Sequence, residues 1–84
     1  MVGEIIERKD VVEYLEKRGL SIQYKKTKGH ILNLKNIFDK LKKRKPKKEG
    51  VYQFKINKQY RAFCYFDENN KNTLVVFEIN NHQN

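Results

Sequence analysis

The sequence predicts an α+β domain: an N-terminal helical hairpin packed on one face of a three- to four-stranded antiparallel sheet. Two observations carry this. In the first half, apolar residues recur at the i, i+3, i+4 spacing of helices. From Val51 onward the period becomes two, in segments rich in aromatic and β-branched residues. Pro46 and Gly50 break the chain between the two textures. At 84 residues the chain is expected to form one domain, 1–84, with a thin core, because small chains bury a smaller share of their surface.

The elements follow in order. "EII", at Glu4 to Ile6, suits a short edge strand. "DVVEYLEKRG" carries helix punctuation: Asp10 as N-cap with Glu13 completing a capping box, Val11 and Leu15 one turn apart, and Gly19 as the stop. Ser21 starts and caps a second helix, "SIQYKKTKGHILNL", which has apolar ends and a basic middle. Gly29 inside it costs about 1 kcal/mol relative to Ala. In "LKNIFDKL", Leu34, Ile37, Phe38 and Leu41 keep helical spacing, so the helix continues or restarts there. The strands expected are "VYQFKI", "YRAFCYF" and "TLVVFEI", joined by the short turn "NKQ" and the polar loop "DENNKN" into a meander.

A register follows from the loops. A three-residue "NKQ" turn pairs Ile56 with Tyr60, Phe54 with Ala62 and Tyr52 with Cys64. A loop from Asp67 to Asn72 pairs Phe66 with Thr73, Cys64 with Val75, Ala62 with Phe77 and Tyr60 with Ile79. One face then collects Tyr52, Phe54, Ile56, Ala62, Cys64, Val75, Phe77 and Ile79, apolar enough to pack on the helices. The other collects Gln53, Lys55, Arg61, Phe63, Tyr65, Leu74, Val76 and Glu78, with Arg61 directly opposite Glu78. If the last strand stays extended, His82 joins this second face.

Charge narrows the function classes. The net charge is +9, and its excess lies entirely in the middle third. "KLKKRKPKK", residues 40–48, is the densest stretch, with basic side chains at Lys40, Lys42, Lys43, Arg44, Lys45, Lys47 and Lys48. Such a block attracts polyanions through counterion release, so nucleic acid or an acidic protein is the expected partner; the alternative is a solvated basic face without a ligand. The single cysteine, Cys64, cannot form an internal disulfide, and two histidines beside it do not make a structural zinc site. No stretch approaches a membrane span, and "MVGEIIERKD" lacks a signal peptide's apolar core; a cytoplasmic protein is expected.

No Gly-rich phosphate loop, HExxH motif or serine triad is present. The residues on the second sheet face suit one reaction. Lysine and arginine bind phosphate and stabilise charge developing on it, and histidine moves protons near neutral pH. RNA supplies its own nucleophile, the 2′-OH, so Lys55, Arg61 and His82 suffice in principle for a ribonuclease. Each also has a plainer reading: Lys55 as soluble surface, Arg61 as the partner of Glu78, His82 as part of a frayed end. Tyr65 could stack on a base. His30 is assigned no role.

"GVYQFKINKQYRAFCYF" followed by "LVVFEINNHQN" resembles the RelE/ParE superfamily of type II toxins, over roughly residues 41–84. The likeness lies in an apolar–Lys–Ile strand, a short turn, a Tyr-Arg strand and a final strand with a polar, His-containing end. It is nearest to the HigB-, YoeB- and RelE-like mRNA interferases. The resemblance implies a ribosome-dependent endoribonuclease that cleaves mRNA in the A site without metal or other cofactor, leaving a 2′,3′-cyclic phosphate and halting translation. It carries phosphate binding and transition-state stabilisation onto Lys55 and Arg61, and acid–base chemistry onto His82. The stretch from Lys40 to Lys48 would dock on ribosomal RNA, and a cognate antitoxin would cover the basic surface. The neighbours of His82, Asn81 and Gln83, do not titrate, and Glu49 is the nearest carboxylate to the first meander strand. Two other functions share the scaffold: a ParE-like toxin that binds gyrase, and a non-catalytic RNA-binding or decayed toxin.

Overall fold

The computed structural model describes residues 2–43 and 50–81. It is α+β, with two helices and one five-stranded mixed sheet. In chain order the elements are β1 (Glu4–Glu7), α1 (Lys9–Lys17), α2 (Ser21–Leu32), a 3-10 turn (Ile37–Asp39), β2 (Lys42–Lys43), β3 (Tyr52–Lys55), β4 (Tyr60–Phe66) and β5 (Thr73–Asn81). The sheet order is β1-β5-β4-β3-β2.

The meander β3-β4-β5 is antiparallel, as the period-two segments predict. The remainder of the sheet departs from expectation. β1 is an edge strand but runs parallel to β5, with Ile5 opposite Leu74, so the sheet is mixed rather than wholly antiparallel. The chain leaves β1 through helices, and such a crossover is what a parallel pair requires. β2 forms the other edge, where Lys42 and Lys43 pair with Gln53 and Tyr52. Two lysines carry no periodicity, yet charged side chains suit a short edge that must not recruit further strands.

Tertiary contacts reset the helix boundaries. The N-cap of α1 is Arg8, not Asp10, and the capping box does not form. Arg8 ends the β1–β5 ladder by donating its N–H to the Val76 carbonyl at 3.1 Å, while its own carbonyl accepts from Val11 and Val12. The helix therefore starts where the ladder stops. Asp10 sits in the first turn, 3.6 Å from the Arg8 guanidinium. The predicted stop at Gly19 is found: its φ of 67° is the left-handed conformation. The Leu20 N–H reaches the Leu15 carbonyl at 2.8 Å and the Gly19 N–H reaches that of Glu16 at 3.2 Å, a Schellman closure. Leu20 is also the N-cap of α2, so Ser21 is the first helical residue and does not cap. α2 stops at Leu32, where the Asn33 amide donates to the Gly29 carbonyl at 3.0 Å. Beyond it only the 3-10 turn forms, because Asn36 is extended and its side chain accepts from the Phe38 N–H.

The β3–β4 register is the predicted one, with Phe54 opposite Ala62 and the turn closed by Asn57. The β4–β5 register differs twice. Phe66 pairs with Leu74 rather than Thr73, a one-residue slip that turns Leu74 and Val76 into the core in place of Val75 and Phe77. A bulge then inserts Phe77 between Val76, opposite Cys64, and Glu78, opposite Phe63. The extra residue restores parity, so Ile79 packs against the core. The core joins Val11, Leu15 and Leu20 to Tyr24 and Ile31 of α2, and to Phe54, Ala62, Cys64, Leu74 and Val76 of the sheet. Among the described residues no helix is long and apolar enough to cross a membrane.

Candidate functional site

Lys55 and Arg61 are direct cross-strand neighbours on β3 and β4, on the sheet face opposite Phe54 and Ala62. The slip and the bulge at Phe77 together change what Arg61 meets. It lies opposite Asn80, while Glu78 lies opposite Phe63, so the expected Arg61–Glu78 pair does not form. Among the described residues the ion pairs are Arg8–Asp10 and Lys28–Glu7, which leaves Lys55 and Arg61 without a carboxylate partner there.

These two side chains line a cleft of about 580 Å³. β2 pairs only with Tyr52 and Gln53, so β2 does not pair with β3 at Phe54 and Lys55. Gln53, Phe54, Lys55 and Arg61 form one wall of the cleft, and Lys26, Thr27, His30 and Ile31 of α2 the other. Asp39, Lys40 and Lys42 complete the lining, and the buried Ile31 and Phe54 form an apolar floor. Five cations, Lys26, Lys40, Lys42, Lys55 and Arg61, face one carboxylate, Asp39, and none of the five is ion-paired among the described residues. A concave, one-signed lining over a low-dielectric floor focuses potential and concentrates anions. The volume falls in the range of roughly 300–1,000 Å³ usual for small-ligand clefts.

Of the site residues expected from sequence, Lys40, Lys42, Lys55 and Arg61 come together here. Lys43 pairs with Tyr52 on β2 and does not line the cleft. Arg44, Lys45, Lys47, Lys48 and His82 lie outside the described residues, as does Glu49. The sequence reading missed the α2 wall. Lys26 and His30 stand four residues apart, one turn, so they share a helix flank with Thr27. That spacing was the available signal.

Two features hold the walls in place. The Tyr24 hydroxyl donates to Glu7 Oε2 at 2.8 Å, and Lys28 Nζ lies 2.9 Å from the same oxygen, tying α2 to β1. Burial pushes the Tyr24 phenol well above its usual range, and the Glu7 hydrogen bond and charge act in the same direction. On the opposite side, the Asn57 amide donates to Gln23 Oε1 at 2.8 Å, tying α2 to the β3–β4 turn. Cys64 is fully buried under the sheet, and desolvation pushes its thiol up to about 12. Among the described residues no His, Cys, Asp and Glu side chains group to hold a metal ion.

Phe38, next to Asp39 on the 3-10 turn, is exposed and meets Tyr52 in a tilted ring contact with centroids 5.8 Å apart. On the outer sheet face Tyr65 and Phe77 lie 5.6 Å apart. Compared with models of known protein families and with curated proteins, the chain matches none.

Proposed function

We propose that the protein is a ribosome-dependent mRNA endonuclease, the toxin of a type II toxin–antitoxin pair. The observation that carries this reading is the cross-strand Lys55–Arg61 pair, set in a cleft with three further cations and without a carboxylate partner among the described residues. An unneutralised lysine–arginine pair is suited to grip a phosphodiester and stabilise the charge that builds on its oxygens during attack by the 2′-OH. On this reading α1 and α2 are the helical hairpin of a RelE/ParE-like toxin. The basic run from Lys40 to Lys48 docks on ribosomal RNA, and an antitoxin silences the free protein by covering the cleft. The protein acts in the cytoplasm, where its mRNA substrate lies.

Incubation with ribosomes carrying mRNA, followed by mapping of 5′ ends, tests the reading. Cuts confined to the A site are expected, and Arg61→Ala and Lys55→Ala should each lower the rate by about 100-fold or more, the usual effect of removing one charge-stabilising donor. RNA binding without cuts would make the protein a non-catalytic RNA-binding module. Inhibited DNA supercoiling without cuts would make it a gyrase-binding toxin.

A further inference from the structure

We propose that His30 of α2 is a catalytic residue of this cleft, the one that moves the proton of the attacking hydroxyl; the inference rests on the ribonuclease reading. The lining offers few alternatives. Lys26, Lys40, Lys42, Lys55 and Arg61 are cations, suited to binding phosphate rather than to general-base work near neutral pH. Asp39, on the 3-10 turn, is the lone carboxylate. An imidazole is the side chain that takes and returns a proton in that range, and His30 is the histidine within the described residues.

Its placement suits the task. His30 stands in the last turn of α2, on the wall facing the strands that carry Lys55 and Arg61, and it is solvent-exposed rather than spent in the core. Ile31 beside it is buried and fixes the helix against the sheet. A phosphate held by Lys55 and Arg61 therefore lies in the cleft that the imidazole also lines.

The step balances as a transesterification. The imidazole nitrogen accepts the 2′-OH proton as O2′ bonds to phosphorus, and the bond from phosphorus to O5′ breaks. The departing O5′ takes a proton from water, and the imidazolium returns its proton to the hydroxide so formed. The products are a 2′,3′-cyclic phosphate and a 5′-hydroxyl, with no net consumption of water.

The test is A-site cleavage on programmed ribosomes by the wild-type protein, His30→Ala, His30→Gln and His82→Ala, each with and without added imidazole. Loss of general-base catalysis lowers rates by about 10²–10⁴-fold, and that loss is expected for both His30 variants with ribosome binding unchanged. Imidazole should restore cutting by His30→Ala, an effect that a merely structural histidine would not show. If the wild type cuts and His30→Ala cuts equally fast, the assignment is overturned and the ribonuclease reading stands. Loss confined to His82→Ala gives the proton to the C-terminal segment and likewise overturns it. If the wild type does not cut at all, the ribonuclease reading fails and this inference with it.

Discussion

Cys64 and Tyr24 are acids sealed in the core in their neutral forms, and this makes the fold sensitive to base. Desolvation raises the Cys64 thiol from its usual 9.0 to about 12, and the Tyr24 phenol moves in the same direction. An unfolded chain releases these protons at the ordinary values, so between those values and the raised ones the folded state binds more protons. The stabilisation is complete below about pH 9 and is lost progressively as pH rises toward 12. Urea midpoints measured from pH 8 to pH 11 should therefore fall, and Cys64→Ala should flatten that fall. An identical pH slope in the variant would show that Cys64 does not contribute. The same burial predicts slow thiol labelling, since the thiolate is the reactive form.

At the scale of elements, the β3–β4 turn bears the most on the cleft. Asn57 Oδ1 accepts from the N–H groups of Gln59 and Tyr60, both at 2.8 Å, while its amide reaches Gln23 on α2. One side chain thus shapes the turn between Lys55 and Arg61 and anchors it to the opposite wall. Asn57→Ala should cost about 1–3 kcal/mol, each hydrogen bond contributing roughly 1 kcal/mol. For a domain of this size that is a fall of roughly 4–8 °C in Tm per kcal/mol, readable by thermal melting. This turn was legible in "NKQ" because its chemistry is local: three residues fix the pairing of Phe54 with Ala62. The β4–β5 pairing was not. No residue near Phe77 announces a bulge, which arises from fitting Val76 and Ile79 to one core, and only the slip and the bulge together move Arg61 from Glu78 to Asn80. β2 escaped for a related reason, being a pair of lysines made into a strand by their neighbour β3. His30 was assigned no role because the facing wall of its cleft, with Lys55 and Arg61, is remote in sequence.

At the scale of the molecule, charge separates into a near-neutral frame and a basic middle, and the cleft gathers cations from both. Lys26, Lys40 and Lys42 come from the basic third of the chain, Lys55 and Arg61 from the balanced sheet. Binding to single-stranded RNA should therefore weaken steeply with salt. Each neutralised phosphate contributes a slope of about −0.7 in log K against log salt, so engagement of all five cations gives roughly −3.5. Fluorescence anisotropy on a short unstructured RNA measures this slope, and Lys26→Ala or Lys42→Ala should each reduce its magnitude by about 0.7. A slope unchanged in both variants would place the RNA elsewhere on the surface.

The parallel pairing of β1 with β5 joins the first described strand to the last, Glu4 against Thr73. Contacts so distant along the chain form late, since the closure entropy of the whole intervening loop comes before any reward. As the polypeptide grows at roughly 5–20 residues per second, β1 and both helices wait several seconds for the strand that shelters them. β4 waits too, because β5 is its neighbour on the side away from β3. The wall bearing Lys55 and Arg61 is therefore unsupported in any nascent chain that has not reached β5. A cleft assembled in this order is complete only once β5 has been synthesised and paired.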